Sequence, residues 1–394
     1  MRQTSRQLLR ILRHEADHSK ASIARALGMS PSTINTLAHA LIRDGLVIPT
    51  GRKQDLPQGR KGEVIDLNPS FRTAIGIEVT DLSVTGVVVD FAGGVHASHG
   101  VALAAPEHEH LLAALDEVIE RLGPVAGGWG PLEGVGIASH GSVNPDTGEI
   151  VRFPGNPRWL PLNVAEYVAA RIRTRCRVTF RILAATKGEV IHGGWAKTPG
   201  PIACFNSGPG NGFGLGIAVN GRVFTGAVGA AGQFGHFCVR PGGTRCFCGS
   251  HGCLLTVASI AAVLRRVRAA LERGVESSLH HVDELTFRSV CHHAVQGDKL
   301  AASVIGDLAA DLGLAMSYVM NLVNPSHVIL GGAMAEGGEY LLEAIRSAAQ
   351  SHCTAPIFAS AHWVLSRLPW NAAALGAAEM MLDRYFEEGE GALV

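Results

Sequence analysis

"HFCVRPGGTRCFCGSHGC", residues 236–253, sets four cysteines and four glycines in eighteen positions, while the chain's other four cysteines (Cys176, Cys204, Cys291, Cys353) are scattered. His236, Cys246, Cys248 and Cys253 read as H-x9-C-x-C-x4-C, four soft or borderline donors suited to tetrahedral Zn²⁺. A full set of four leaves no open position for a water, so the expected zinc is structural. Gly249 and Gly252 let the chain fold back on itself between ligands. Cys238, two residues past the histidine, points elsewhere if that segment is extended and is left out of the set. The plainer reading is four reduced, buried thiols; the spacing favours the metal.

At 394 residues the chain can hold two or three domains whose cores need no staples. With 47% apolar and 17% charged residues it is a globular chain and not a disordered one. "MRQTSRQLLRILRHE" breaks its apolar positions with arginine and makes a poor secretory signal. No uninterrupted apolar run approaches membrane-spanning length. The expected location is the reducing cytoplasm, where clustered cysteines bind metal more often than they pair. A net charge of zero hides a split. Residues 1–61 carry eleven Lys/Arg against four acids, +7, and the remaining 23 basic and 30 acidic residues give −7. A basic head on an acidic body points to a polyanion partner for the head; a solvated basic face is the bland alternative.

Within the head, Leu8, Leu9, Ile11 and Leu12 have the spacing of a helix with one buried face. Ser19 is placed to cap a second helix that stops at Gly28. Ser30 and Pro31 then open a third, with Ile34, Leu37, Leu41 and Ile42 inward. Ser32, Thr33, Asn35, Thr36 and His39 are left facing out, as base readers in the major groove of double-stranded DNA would be. Two strands, "GLVIPT" and "GEVIDL", are joined by "GRKQDLPQGRK", a wing whose Arg52, Lys53, Arg60 and Lys61 suit phosphates and a narrow minor groove. Together these features predict a winged helix-turn-helix.

From about Phe71 the pattern becomes α/β. "TAIGIEVTDLSVTGVVVDFAGGV" reads as two strands with a Gly-Gly turn, and "IACFNSGPGNGFGLGIAVNGRV" at 202–223 repeats that plan. The repeat predicts two similar lobes, with strands at "GVGIASHG" and "SHVILGGAM" and helices at "NVAEYVAARIRTR" and "EYLLEAIRSAA". An alanine-rich helix, "NAAALGAAEMMLDRYFEE", ends the pattern. The glycine turns alone are weak signs of nucleotide, because glycine serves any tight hairpin.

"GHFCVRPGGTRCFCGSHGC" resembles the signature of the ROK family (repressors, open reading frames, kinases). "AAGQFGH", "NLVNPSHVILGGAM", "AALGAAEMML" and the helix-turn-helix with its "GRK" wing complete the repressor layout over nearly the whole chain. The resemblance implies a winged helix-turn-helix at 1–70 and two actin-like, ribonuclease-H-like lobes. These lie at 71–190, joined by a C-terminal helix at 371–390, and at 191–370, with the zinc loop at 236–253. It also implies a sugar site between the lobes, a zinc that shapes it, and a homodimer or tetramer.

The same resemblance separates a regulator from a kinase. Family kinases use an aspartate as general base in an Asn-Asp pair, and Phe180-Arg181 stand at those positions; an arginine stays protonated and cannot take the proton. Gln233 and Leu255 replace two glutamates that hold sugar, and "EVTDLS", Glu78–Ser83, lacks the glycines and lysine of the phosphate loop. The expectation is a kinase-inactive, sugar-responsive DNA-binding repressor. The alternative is a hexose kinase using ATP, and a head that contacts a protein partner is a third reading. Asn156, Arg181, Gln233 and His236 are the expected effector contacts. Two readings of Arg181 stay open: a charge-assisted fork for a sugar phosphate or sugar acid, or internal pairing with Glu189 in a collapsed pocket.

Overall fold

The head comprises helices α1 (Gln3–His14), α2 (Lys20–Leu27) and α3 (Pro31–Arg43) and a sheet of β1 (His18–Ser19), β2 (Val47–Asp55) and β3 (Lys61–Leu67), ordered β1-β3-β2. In this computed structural model the described residues are 3–14, 18–55, 61–154, 156–208, 210, 212–368 and 371–387. Ser19 accepts a hydrogen bond from the Ser22 amide and Ser30 one from the Thr33 amide, so each helix starts on its own serine. Gly28, at φ 62°, ends α2 in the left-handed conformation. Ile34, Ala38 and Leu41 are buried on α3, and Leu37 and Ile42 are half-buried beside them. The wing strands run to Asp55 and from Lys61, beyond the predicted 45–50 and 62–67.

Lobe 1 follows: β4 (Thr73–Val79), β5 (Ser83–Asp90), β6 (Val95–Ala102), α4 (His108–Trp129) and β7 (Leu132–Ser139). A small sheet of β8 (Ser142–Asn144), β9 (Glu149–Arg152) and β10 (Leu162–Asn163) precedes α5 (Val164–Ile172), β11 (Cys176–Phe180) and α6 (Arg181–His192). Lobe 2 contains β12 (Pro201–Ser207), β13 (Phe213–Val219), β14 (Arg222–Phe224), α7 (Leu255–Ala258), α8 (Ile260–Glu272), α9 (Phe287–Val295) and α10 (Lys299–Val323). It continues through β15 (His327–Gly332), α11 (Gly338–Gln350), α12 (Ala355–Ser360) and β16 (His362–Leu365). The sheets are ordered β6-β5-β4-β7-β11 and β14-β13-β12-β15-β16. Each has a three-stranded antiparallel meander whose first strand is joined to two further parallel strands, so both lobes share one 3-2-1-4-5 topology. This duplication matches the repeat in the sequence. β4 is buried along its whole length, which explains its mainly apolar sequence and leaves Glu78 as a buried carboxylate within it. Helix α10 is long and apolar enough to span a membrane, but most of its apolar window is buried inside lobe 2.

The last helix, α13 (Ala372–Phe386), returns to lobe 1 and packs against α6, β4 and β7. The contact is backbone on backbone: a Cβ on Gly188 would lie 2.2 Å from the Ala372 carbonyl oxygen, and one on Gly376 1.7 Å from that of Ala184. One apolar cluster includes Leu8, Leu9, Leu12 and Ile34 of the head with Val87, Phe91, Ala378, Leu382 and Phe386 of the body. The core therefore runs across the boundary that the sequence reading draws at residue 70.

Candidate functional site

The donor atoms of His236, Cys246, Cys248 and Cys253 all lie within 4.8 Å of one another. His236 Nδ1 is 3.6 Å from Cys246 Sγ, and the sulfurs of Cys248 and Cys253 are 3.7 Å apart. Tetrahedral zinc, with bonds of about 2.3 Å to sulfur and about 2.0 Å to nitrogen, gives edges of about 3.8 and about 3.5 Å. The donor set is thus compatible with a zinc site. Cys238 is outside it, its exposed Sγ 3.6 Å from the His251 carbonyl oxygen. Gly252, at φ 71°, is needed for the return turn, since a Cβ there would lie 1.8 Å from the Arg240 carbonyl oxygen.

Beside the cluster lies the cleft, where β4, β7 and β11 end at Val79, Ser139 and Phe180 and lobe 2 contributes the end of β12. Its floor is Arg181, the first residue of α6 and only 4% exposed. Arg181 donates through Nε to Glu78 Oε1 at 2.5 Å, and through Nη2 to Asn206 Oδ1 at 2.8 Å and the Ser207 carbonyl at 3.2 Å. It therefore ties β4 of lobe 1 to β12 of lobe 2. The predicted partner, Glu189, is instead two turns along α6, where it accepts from Ser366 Oγ. Internal pairing therefore holds, and only the partner is corrected, from Glu189 to Glu78. The fork foreseen for an anionic effector is also taken, by Glu78 and Asn206.

Next to this clamp, His140 Nδ1 sits 3.4 Å from Asp81 Oδ1. A Cβ on Gly212 would fall 0.9 Å from His140 Nε2, and one on Gly210 2.7 Å from Asp81 Oδ1. The ring and the carboxylate thus press against the glycine turn of lobe 2. The cavity left is about 70 Å³, and Arg181, Gln233 and His236 line it together with His140, Phe247 and Leu255. Asn156 is not among its lining residues. Its Nδ2 donates to the Pro106 carbonyl at 3.0 Å and its Oδ1 accepts from the Arg158 amide at 2.9 Å. A larger cavity, about 1000 Å³, opens beyond β11 between Asn144–Gly148 and Thr225–Ala230, with Met380, Met381 and Asp383 of α13 on its wall.

On the head, Ser32, Thr33, Asn35, Thr36 and His39 are all exposed along one side of α3. Lys20 reaches Asn35 Oδ1 at 3.3 Å and Glu63 at 2.6 Å, tying the exposed side of α3 to the wing strand β3. Arg52 is exposed on β2, Lys61 begins β3, and Arg60 lies outside the described residues.

The family model described as ROK family matches residues 74–384. The chain belongs to the ROK family. A second model, winged helix-turn-helix DNA-binding, matches residues 1–48. A putative xylose repressor from Caldicellulosiruptor sp. (strain Rt8B.4) is 27% identical over 95% of each chain. The crystal structure of a ROK family transcriptional regulator, a homologue of the E. coli MLC protein, superposes with a TM-score of 0.78 at 24% identity, covering 97% of this chain and 95% of that one. A ROK family glucokinase from Streptomyces griseus, in complex with glucose and AMPPNP, gives a TM-score of 0.67 at 25% identity and covers 78% of this chain and 98% of that one. In the ROK frame, the motif reading located Arg181, Gln233 and His236 but missed Glu78 and Asn206, the partners that decide what Arg181 does. It also missed His140. The glycines missing from "EVTDLS" were the available signal that this region is filled by side chains.

Proposed function

We propose that this ROK chain is a DNA-binding transcriptional repressor of sugar-related genes, without kinase activity, whose affinity for its operator is set by a neutral sugar in the cleft. The observation that carries the reading is Arg181. A buried guanidinium stands where the family resemblance puts the general base, paired to Glu78, so no proton acceptor is available there. Asp81, buried at the same end of the cleft, would disfavour the phosphates of a nucleotide there, while the charge of Glu78 is offset by Arg181.

Ser32, Thr33, Asn35, Thr36 and His39 read base edges in the major groove, while Arg52, Arg60 and Lys61 hold phosphates. A homodimer places two such helices about 34 Å apart on a palindromic site. Gln233 and His236 contact the sugar. Asn156 joins them only if its loop releases Pro106. A cleft of about 70 Å³ is far below the roughly 300 Å³ of a small-molecule pocket, so admitting a sugar requires the lobes to part at the Arg181 clamp. His236, Cys246, Cys248 and Cys253 hold a structural Zn²⁺, which fixes the loop carrying His236 and Phe247 against that pocket.

The test is selection of bound fragments from total genomic DNA, followed by gel shift on the recovered site. A palindromic motif near sugar-utilisation genes is expected. Retention of no DNA would reject the reading, as would ATP turnover in a coupled assay with hexoses.

A further inference from the structure

Helix α6 connects the cleft to the head. Its first residue, Arg181, is held by both lobes. Its last, His192, donates through Nε2 to Glu379 Oε1 at 2.7 Å. Glu379, on α13, also holds Arg13 of the DNA-binding head, and the side chains of Arg13 and Glu379 are 2% and 3% exposed. Arg13 donates as well to the Phe91 carbonyl at 2.7 Å, and Arg10 to that of Phe386. Midway along α6, the buried Lys187 binds Asp383 at 2.8 Å and Glu387.

Two physical features make this path stiff. Residues 181–190 of α6 are all buried, and twelve helical residues span about 17 Å as one rod. The Gly188 and Gly376 contacts leave no room for α6 to roll on α13 without shifting it. A displacement at the Arg181 end is then felt by His192, which shares one carboxylate with the head.

We propose that α6 transmits the state of the cleft to the DNA-binding head, with His192 and Glu379 as positioning residues that touch neither sugar nor DNA and that set the docking of α1. The inference rests on the effector reading above, but its test does not need the effector. Arg181→Met/Glu78→Met removes both clamp partners together and frees the cleft end. Hydrogen exchange of the α1 amides from Leu8 to Leu12 reads the other end. In the otherwise native full chain the double substitution is expected to change that exchange fivefold or more.

With His192→Leu added, the same substitution should change it less than twofold, and His192→Gln, which keeps a donor to Glu379, should restore the response. A purely structural role for His192 would speed α1 exchange without altering the response to the cleft substitutions. Equal responses with and without His192→Leu would overturn the proposal, as would no response in the native background. If the double substitution does not accumulate as folded protein, Arg181→Lys, which keeps charge and loses the fork, serves for the same comparison. Failure to bind any DNA would count against the repressor reading alone, since exchange is read on the free protein.

Discussion

At Arg181 a cation occupies the first residue of a helix, the end where the peptide dipole favours anions, and it is buried as well. Glu78 makes this tolerable, and each charge is costly without the other. Arg181→Met alone is therefore expected to destabilise the protein by about 3–5 kcal/mol, with Arg181→Met/Glu78→Met recovering most of the loss, as followed by denaturant unfolding. His14 makes a second residue-scale prediction. Burial, then Arg13, Lys187 and Lys197, press its pKa from 6.5 down to about 4. The undocked form thus takes up more protons than the docked one between those values, and acid loosens α1 from pH 6.5 downward. Burial pushes Glu379 up, but Arg13 and His192 hold it at about 2, so its contribution is intact above pH 4.5 and is lost as pH falls toward 2. Exchange of α1 amides, corrected for intrinsic rate, should be faster at pH 5 than at pH 7, and His14→Leu should abolish that difference. The motif comparison was enough to show that Arg181 could not be a base. Its partner Glu78 is 103 residues away, which no local pattern could reveal.

Among the elements, the His/Cys loop at 236–253 and the helices of the head were the most legible, because their information is local. The four donor residues fall within eighteen positions, and serine caps, a glycine stop and a proline at the first helical position are neighbours of the turns they shape. A metal analysis should find one zinc per chain, and Cys253→Ser should lose it. The packing of α6 on α13 was not legible, since an alanine-rich helix reads only as buried. Gly376→Ala tests it. The added methyl would meet the Ala184 carbonyl oxygen at 1.7 Å, and a cost of about 1–3 kcal/mol is expected from thermal unfolding. On the recognition helix, Asn35→Ala should weaken binding to the selected operator by about 1–3 kcal/mol and leave unrelated duplex nearly unaffected.

Over the whole molecule, the charge split and the repeated hairpin anticipated a basic head on a two-lobed body, and the structure adds that head and body share one apolar core. That continuity comes from residues far apart in sequence, Leu8 and Leu12 with Ala378 and Phe386, and periodicity within either segment cannot show which surface it meets. It gives the scaffold a route from cleft to DNA that a flexible linker would lack. The central claim is that a sugar in a catalytically closed cleft controls operator binding. The direct measurement is fluorescence anisotropy of the selected duplex titrated with the protein, with and without xylose, glucose and other neutral sugars. We predict salt-dependent binding that at least one neutral sugar weakens tenfold or more while ATP has no effect; affinity unchanged by every sugar would contradict the account.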